Sequence, residues 1–383
     1  MNTPAEFDDI RPYLPEELPA AFENLLSDPQ FLAVANMVLP RLNRDELRKV
    51  LLSCRDNLDF QKKVIYGIVK GILSKCCTGY EMDAAAITDK DCNYTFVSNH
   101  RDIVLDAAIL CILLLDNGFP NTVEIAIGDN LLIYPWIKNL VRVNKSFIVR
   151  RSPGMREMLR CSKQLSEYMH YAINEKHESI WIAQREGRAK NSDDRTQQSL
   201  LKMMAMGGEG TAQERLKQLH IVPVSISYEF DPCDFLKAKE FQQKRDDASF
   251  KKSREDDLLN MKTGIFGYKG RVHYALSPCI DNWIEGQSQL PKAEFFEKLA
   301  AHIDHNIHKG YKIFENYYIA ADMLEKDNRF SAHYTDEEKV RFETYLAGQI
   351  EKIDLKDKDV PFLRERMLEM YANPLFNHLK ALQ

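Results

Sequence analysis

The stretch FVSNHRDIVLDAAIL, Phe96 to Leu110, sets a histidine and two aspartates between two apolar runs. A histidine at such a junction can take a proton from a hydroxyl at neutral pH, provided that a carboxylate fixes its tautomer and steadies the imidazolium. His100 has two candidate partners, Asp102 and Asp106. The competing use is structural: Asp102 caps a helix that starts at Ile103, and His100 satisfies the backbone of the loop.

Cations recur downstream. GDNLLIYPWIKNLVRVNKSFIVRR, Gly128 to Arg151, runs a helix-length segment into a strand and ends on Arg150 and Arg151. WIAQREGRAKNSDDRTQ, Trp181 to Gln197, follows a strand with Glu186, Gly187, Arg188 and Lys190. A guanidinium fork pairs with phosphate oxygens bidentately, and a glycine after a strand lets backbone and cation come close to a ligand. Surface ion pairing is the other common use of such arginines. A fourth block, IVPVSISYE, reads as a buried strand whose Pro223 implies an edge position or a strand start.

What must hold these residues is an alternation of strands and helices. YTFVS, TVEIAI, SFIVR, SIWIAQ and VPVSISY are short, apolar and rich in β-branched or aromatic residues, and most are separated by helix-length segments. The pattern predicts an α/β fold, a layered sheet of largely parallel strands with flanking helices. Loops at the carboxyl ends of such strands gather reactive groups, and His100 falls at one of them. RVHYALS adds a strand after a charged stretch that begins at Phe235. Glu16 to Cys77 and Pro291 to Gln383 read as helical, the latter with a polar break at EKDNRFSAHYTDEE. The expected organisation is a helical N-terminal region (1–85), an α/β domain (86–285) and a helical C-terminal region (286–383).

Composition sets the surroundings. The 383 residues are 44% hydrophobic and 28% charged, ordinary for a globular protein, and the net charge of -5 gives no reason to expect nucleic acid. Eight cysteines occur without a CxxC pair, and Cys76 and Cys77 are adjacent. That usage argues against a disulfide framework or a zinc site and fits a reducing compartment. The Met1 end is acidic and proline-punctuated, unlike a secretory leader, and the greasiest run, AAILCILLL, is far too short to span a membrane. A soluble or peripheral protein is expected. His302, His305 and His308 recur at steps of three but lack a completing carboxylate or cysteine, so they read as a solvated helix face rather than metal ligands. Phe60 to Lys75 carries an apolar stripe, Val64, Ile65, Ile68, Val69, Ile72 and Leu73, flanked by lysines. Such a stripe either packs on the α/β domain or lies on a membrane surface or acidic carrier. RFETYLAGQIEKIDL is a further amphipathic helix, expected to face a core.

Taken in order, SNHRDIVLD, GDNLLIYPWIKNL with FIVRR, QREGRAK and IVPVSISY resemble the four blocks of the glycerolipid acyltransferase superfamily, most of all its glycerol-3-phosphate and lysophosphatidate acyltransferases. The resemblance runs from Phe96 to Tyr228 and leaves the helical ends uncovered. It departs from the family in two places. Five residues separate His100 from Asp106 where the family has four, so the partner is Asp106 or, less favoured, Asp102. Arg188 directly follows Gly187, and Arg185 stands where the family has proline, so either Arg188 or Lys190 would meet the acceptor.

The resemblance implies direct acyl transfer from acyl-CoA or acyl carrier protein to a hydroxyl of glycerol 3-phosphate or a lysophospholipid. No acyl-enzyme, metal or bound cofactor would be involved. His100 and Asp106 would be catalytic, and Arg101, Arg150, Arg151, Glu186, Gly187, Arg188 and Lys190 would line the acceptor site. It also implies a cytoplasmic enzyme of phospholipid biosynthesis in peripheral contact with the inner face of the membrane. The alternative is a lipid-binding or scaffolding protein that kept the fold and lost catalysis.

Overall fold

The computed structural model describes residues 3–151 and 154–383. Its strands are β1 (Cys77–Asp83), β2 (Thr95–Ser98), β3 (Val123–Gly128), β4 (Ser146–Val149), β5 (Ser179–Ala183), β6 (Ile221–Tyr228) and β7 (Gly270–Leu276). They form one seven-stranded sheet in the order β1-β7-β6-β2-β5-β3-β4. β2 to β6 run parallel, β7 lies antiparallel to β6, and β1 pairs parallel with β7. The carboxyl ends of β2 to β6 therefore share one edge, where the loops carrying His100, Arg150 and Arg188 emerge.

Side-chain alternation splits the core into two apolar layers. Val97, Ile180, Ile182 and Ile221 face one layer, closed by the helices Met155–Asn174 and Lys292–Lys309 through Leu165, Phe295 and Ile303. Phe96, Trp181, Val222 and Val224 face the other, closed by Tyr66–Cys76 and Leu105–Asp116 through Leu73, Ile109 and Leu113. Burial on both faces is why these strands read as continuous apolar runs.

Three boundaries differ from the sequence reading. β1 lies inside the region expected to be helical; it is an edge strand whose residues are exposed or half-buried, and Gly79 and Glu81 weaken its strand signal. β6 is internal, so of the two positions expected for Pro223 the edge is excluded; the proline is the third residue of the strand, opposite Val97 of β2. It sits one residue beyond the last β6–β7 rung, Val224 with Leu276, where β7 makes no demand on the missing N–H. The helix Lys292–Lys309 belongs to the sheet, and the separate C-terminal core is built by Glu315–Glu325, Asp336–Glu351 and Val360–Ala381 around Tyr317, Phe342, Leu346 and Met367.

The stripe of Phe60 to Lys75 points inward. Val64, Val69 and Leu73 are buried, Ile65, Ile68 and Ile72 pack beside them, and Lys70 is tied to Asp116 at 3.0 Å. The three histidines of the Lys292–Lys309 helix do not form the solvated face expected of them. His302 stacks on Trp283 with ring centroids 4.2 Å apart, His308 is buried with Nε2 2.8 Å from the Asp194 carbonyl, and only His305 is exposed. No helix among the described residues is long and apolar enough to cross a membrane.

Candidate active site

β2 ends at Ser98, and Asn99 locks the following turn to β6: its amide donates to the Ile226 carbonyl at 2.9 Å and its Oδ1 accepts from the Ile226 N–H at 2.8 Å. His100 follows, its side chain 12% exposed, with Nδ1 2.8 Å from Asp106 Oδ2. Trp181 meets the imidazole edge-on at 5.8 Å, and its indole N–H is held by Ser98 Oγ. Asp106 is fully buried, yet every demand of a buried carboxylate is met. Oδ2 also accepts the backbone N–H groups of Arg101 at 2.7 Å and Asp102 at 3.0 Å, and Oδ1 accepts the Tyr228 hydroxyl at 3.0 Å. Tyr274 donates to the Asp106 carbonyl. With Nδ1 turned to the carboxylate, Nε2 is the nitrogen left for a substrate proton.

Asp102 does the other job. Its Oδ1 accepts from the N–H groups of Val104 at 2.9 Å and Leu105 at 2.7 Å, where the helix Leu105–Asp116 begins. The competing uses of the two aspartates are thus both present, one at each residue. The extra residue between His100 and Asp106 is taken up in the turn before the helix, so the partner still reaches the ring.

The loop after β5 is aligned with this one, because Ser98 pairs with Ala183 and the Gln184 N–H donates to the Ser98 carbonyl at 2.8 Å. Gly187 turns it through φ +68, a conformation that costs an L side chain energy. Arg188 Nη2 donates to Asn260 Oδ1 at 2.9 Å, while Nη1 is buried without a partner. Burial works against the Arg188 charge, but Cys233, Asp231 and Asp102 more than offset it and its pKa is raised. Arg185 Nε and Gln184 Nε2 are likewise buried and unpartnered.

Residues 86–227 match the family model described as Acyltransferase. The matched segment takes in His100, Asp106, Gly187 and Arg188. Among solved structures, the 1-acyl-sn-glycerophosphate (LPA) acyltransferase PlsC from Thermotoga maritima is similar over 75% of this chain and 98% of its own, at 12% identity and a TM-score of 0.37. No curated protein matches the chain.

Within the matched segment the expected acceptor residues separate into two groups. Arg101 is buried and turned inward, 2.8 Å from Asp194 and above the Tyr311 ring; the contact is close enough for an ion pair but not aligned as a hydrogen bond. Arg150 pairs with Asp9 and so fastens the N-terminal segment. Arg101 and Arg150 are thus each answered by a carboxylate of the chain itself. Arg151 and Glu186 meet each other at 3.5 Å with Glu186 exposed, and Lys190 pairs with Glu240, which Lys244 and Lys252 also approach at 2.9 and 3.1 Å. Burial lowers Lys190 to about 8. Arg151, Glu186, Gly187, Arg188 and Lys190 remain on the shared edge with His100.

The helix Arg254–Phe266, outside the matched segment, covers both loops. Its Asn260 meets Arg188, and its Gly264 lies so close to Asp102 that a Cβ there would collide with Oδ2. Sequence reasoning missed this helix, along with Trp181, Tyr228, Tyr274 and Arg185. Tyr228 closes the fourth block and Arg185 precedes Glu186, so both were visible as residues; nothing along the chain shows that Tyr228 reaches Asp106 or that Arg185 Nε is buried.

Proposed function

We propose that this chain moves a fatty acyl group from acyl-CoA or acyl carrier protein to a hydroxyl of glycerol 3-phosphate or a lysophospholipid. The observation that carries the reading is the His100–Asp106 pair, with Nε2 free, beside the unpartnered guanidinium donors of Arg185 and Arg188. His100 Nε2 takes the acceptor's hydroxyl proton as the oxygen attacks the thioester carbonyl, and Asp106 steadies the imidazolium. The tetrahedral intermediate expels the thiolate, which takes the proton back from His100. The acyl group passes directly between substrates.

A buried arginine with an idle N–H is costly unless something accepts from it, and a phosphate does so with charge assistance. Arg188 and Arg185 are the proposed acceptor clamp, with Lys190 and Arg151 adding positive field. Leu259 and Phe266 on the covering helix are exposed, at 49% and 46%, and offer an apolar approach for the acyl chain and for peripheral contact with the inner face of a cytoplasmic membrane. The test is thiol release from acyl-CoA and from acyl carrier protein with glycerol 3-phosphate, lysophosphatidate and a monoacylglycerol lacking phosphate. Release should require a phosphorylated acceptor. Equal release with the phosphate-free acceptor, or none with any, would overturn the reading.

A further inference from the structure

At the sheet edge opposite His100, three chain segments converge on a group of soft and borderline donors. His220 is the last residue before β6, and Cys279 and Asp281 lie just past the end of β7. Because β7 runs antiparallel to β6, those ends coincide. One ligand atom from each of the three residues lies within 4.8 Å of the other two, and all three residues are half-buried. His220 Nδ1 is 2.6 Å from Asp281 Oδ2. Asp281 Oδ1 is buried with no hydrogen-bond partner.

Cys92 lies on the chain entering β2, whose first residue, Thr95, donates to the His220 carbonyl at 3.1 Å. Its thiol packs against the same apolar layer as Cys279 and is near enough to feel the Asp281 charge, as Cys279 feels the charge of Cys92. His220 itself has φ +46, a left-handed conformation that a residue with a Cβ holds at a cost.

We propose that His220, Cys279 and Asp281, with Cys92 as the fourth ligand, bind one Zn²⁺ that staples these three segments together. Imidazole and thiolate favour zinc over the oxygen-seeking magnesium and calcium, and a set of four protein ligands is the pattern of a structural site. Donor atoms around tetrahedral zinc stand about 3.3–3.8 Å apart given bonds of about 2.0–2.3 Å, so rotamer adjustments suffice for the three clustered residues, while the Cys92 thiol, outside the cluster, must swing in to complete the set. Zinc would accept the idle Asp281 oxygen, and the two thiols would release their protons to solvent on binding. The ligands come from positions 92, 220, 279 and 281, which is why no zinc spacing is visible along the sequence.

The test uses the full chain, dialysed against Zn²⁺ and then against metal-free buffer. Elemental analysis should find about one zinc per chain, retained against magnesium. Cys279→Ser and His220→Gln should each weaken zinc binding by more than the roughly 10–100-fold typical of losing an outer partner. If either variant fails to fold, Co²⁺ added to the metal-free parent answers instead: thiolate-to-cobalt charge transfer is expected in the near ultraviolet. Removing zinc should lower the melting temperature. A parent chain that holds no zinc and gives no thiolate–cobalt band, or folded variants that hold zinc as well as the parent, would overturn the proposal.

Discussion

Two loops leave the same edge of the sheet on neighbouring strands and are built on opposite principles. In the loop after β2, Asp106 accepts from His100, Arg101, Asp102 and Tyr228, and Asp102 closes the helix start. In the loop after β5, Gln184 Nε2, Arg185 Nε and Arg188 Nη1 are buried without acceptors. A saturated network holds a ring in one orientation, whereas idle donors hold a place for something else. Arg101, in the first loop, also has Nη1 and Nη2 outside any hydrogen bond, but Asp194 stands 2.8 Å from it, so pre-organisation and readiness for a ligand are told apart only when ion pairs are counted with hydrogen bonds.

The strongest way to break the contrast is Asp106→Asn. The amide keeps the shape but cannot accept from His100 as a carboxylate does, and kcat should fall roughly 100- to 10,000-fold, the range ascribed to general-base catalysis. Steady-state kinetics on a variant with an intact circular dichroism spectrum checks this. The second loop should behave differently. Arg188→Ala is expected to raise the acceptor's KM by about 10- to 100-fold through loss of a charge-assisted contact, with the acyl-donor KM unchanged. Its melting temperature should also fall, because Asn260 and the buried Asp231 lose a partner with the side chain. Equal changes in both KM values would make Arg188 structural.

Asp102→Asn sharpens the division of labour between the aspartates: it should cost about 1 kcal/mol of stability, read by urea unfolding, and leave turnover nearly intact. The smallest effect concerns the frame of the second loop. Asp304, which accepts from the Thr196 N–H and hydroxyl, is raised to about 6 by burial. A raised carboxyl contributes stability that is complete below its unfolded pKa and lost as pH rises through about 6. Between pH 4 and 7 Asp304→Asn should therefore flatten the fall in unfolding free energy by on the order of 1 kcal/mol.

Much of this was legible along the chain. β2 to β6 stand out because burial makes them nearly continuous apolar runs and β7 by its alternation of buried and more exposed residues, and His100 with Asp106 could be picked because a turn and a helix start lie between them. β1 escaped because an edge strand needs only half an apolar pattern. Arg101 and Arg150 looked equivalent to Arg188, since an arginine at a strand end has the same local signature whether Asp194, Asp9 or, as proposed for Arg188, a phosphate answers it. The covering helix Arg254–Phe266 and the His220, Cys279 and Asp281 cluster depend on contacts between distant segments, and no local spacing encodes them.

The central claim is that His100 is the base for direct acyl transfer, and the most direct measurement is turnover of His100→Ala under conditions where the parent releases thiol from acyl-CoA to a phosphorylated acceptor. His100 sits in a loop with its ring partly exposed, so the variant should keep the parent's circular dichroism spectrum and lose at least about 100-fold in kcat. A folded His100→Ala protein with near-parental turnover would contradict the account.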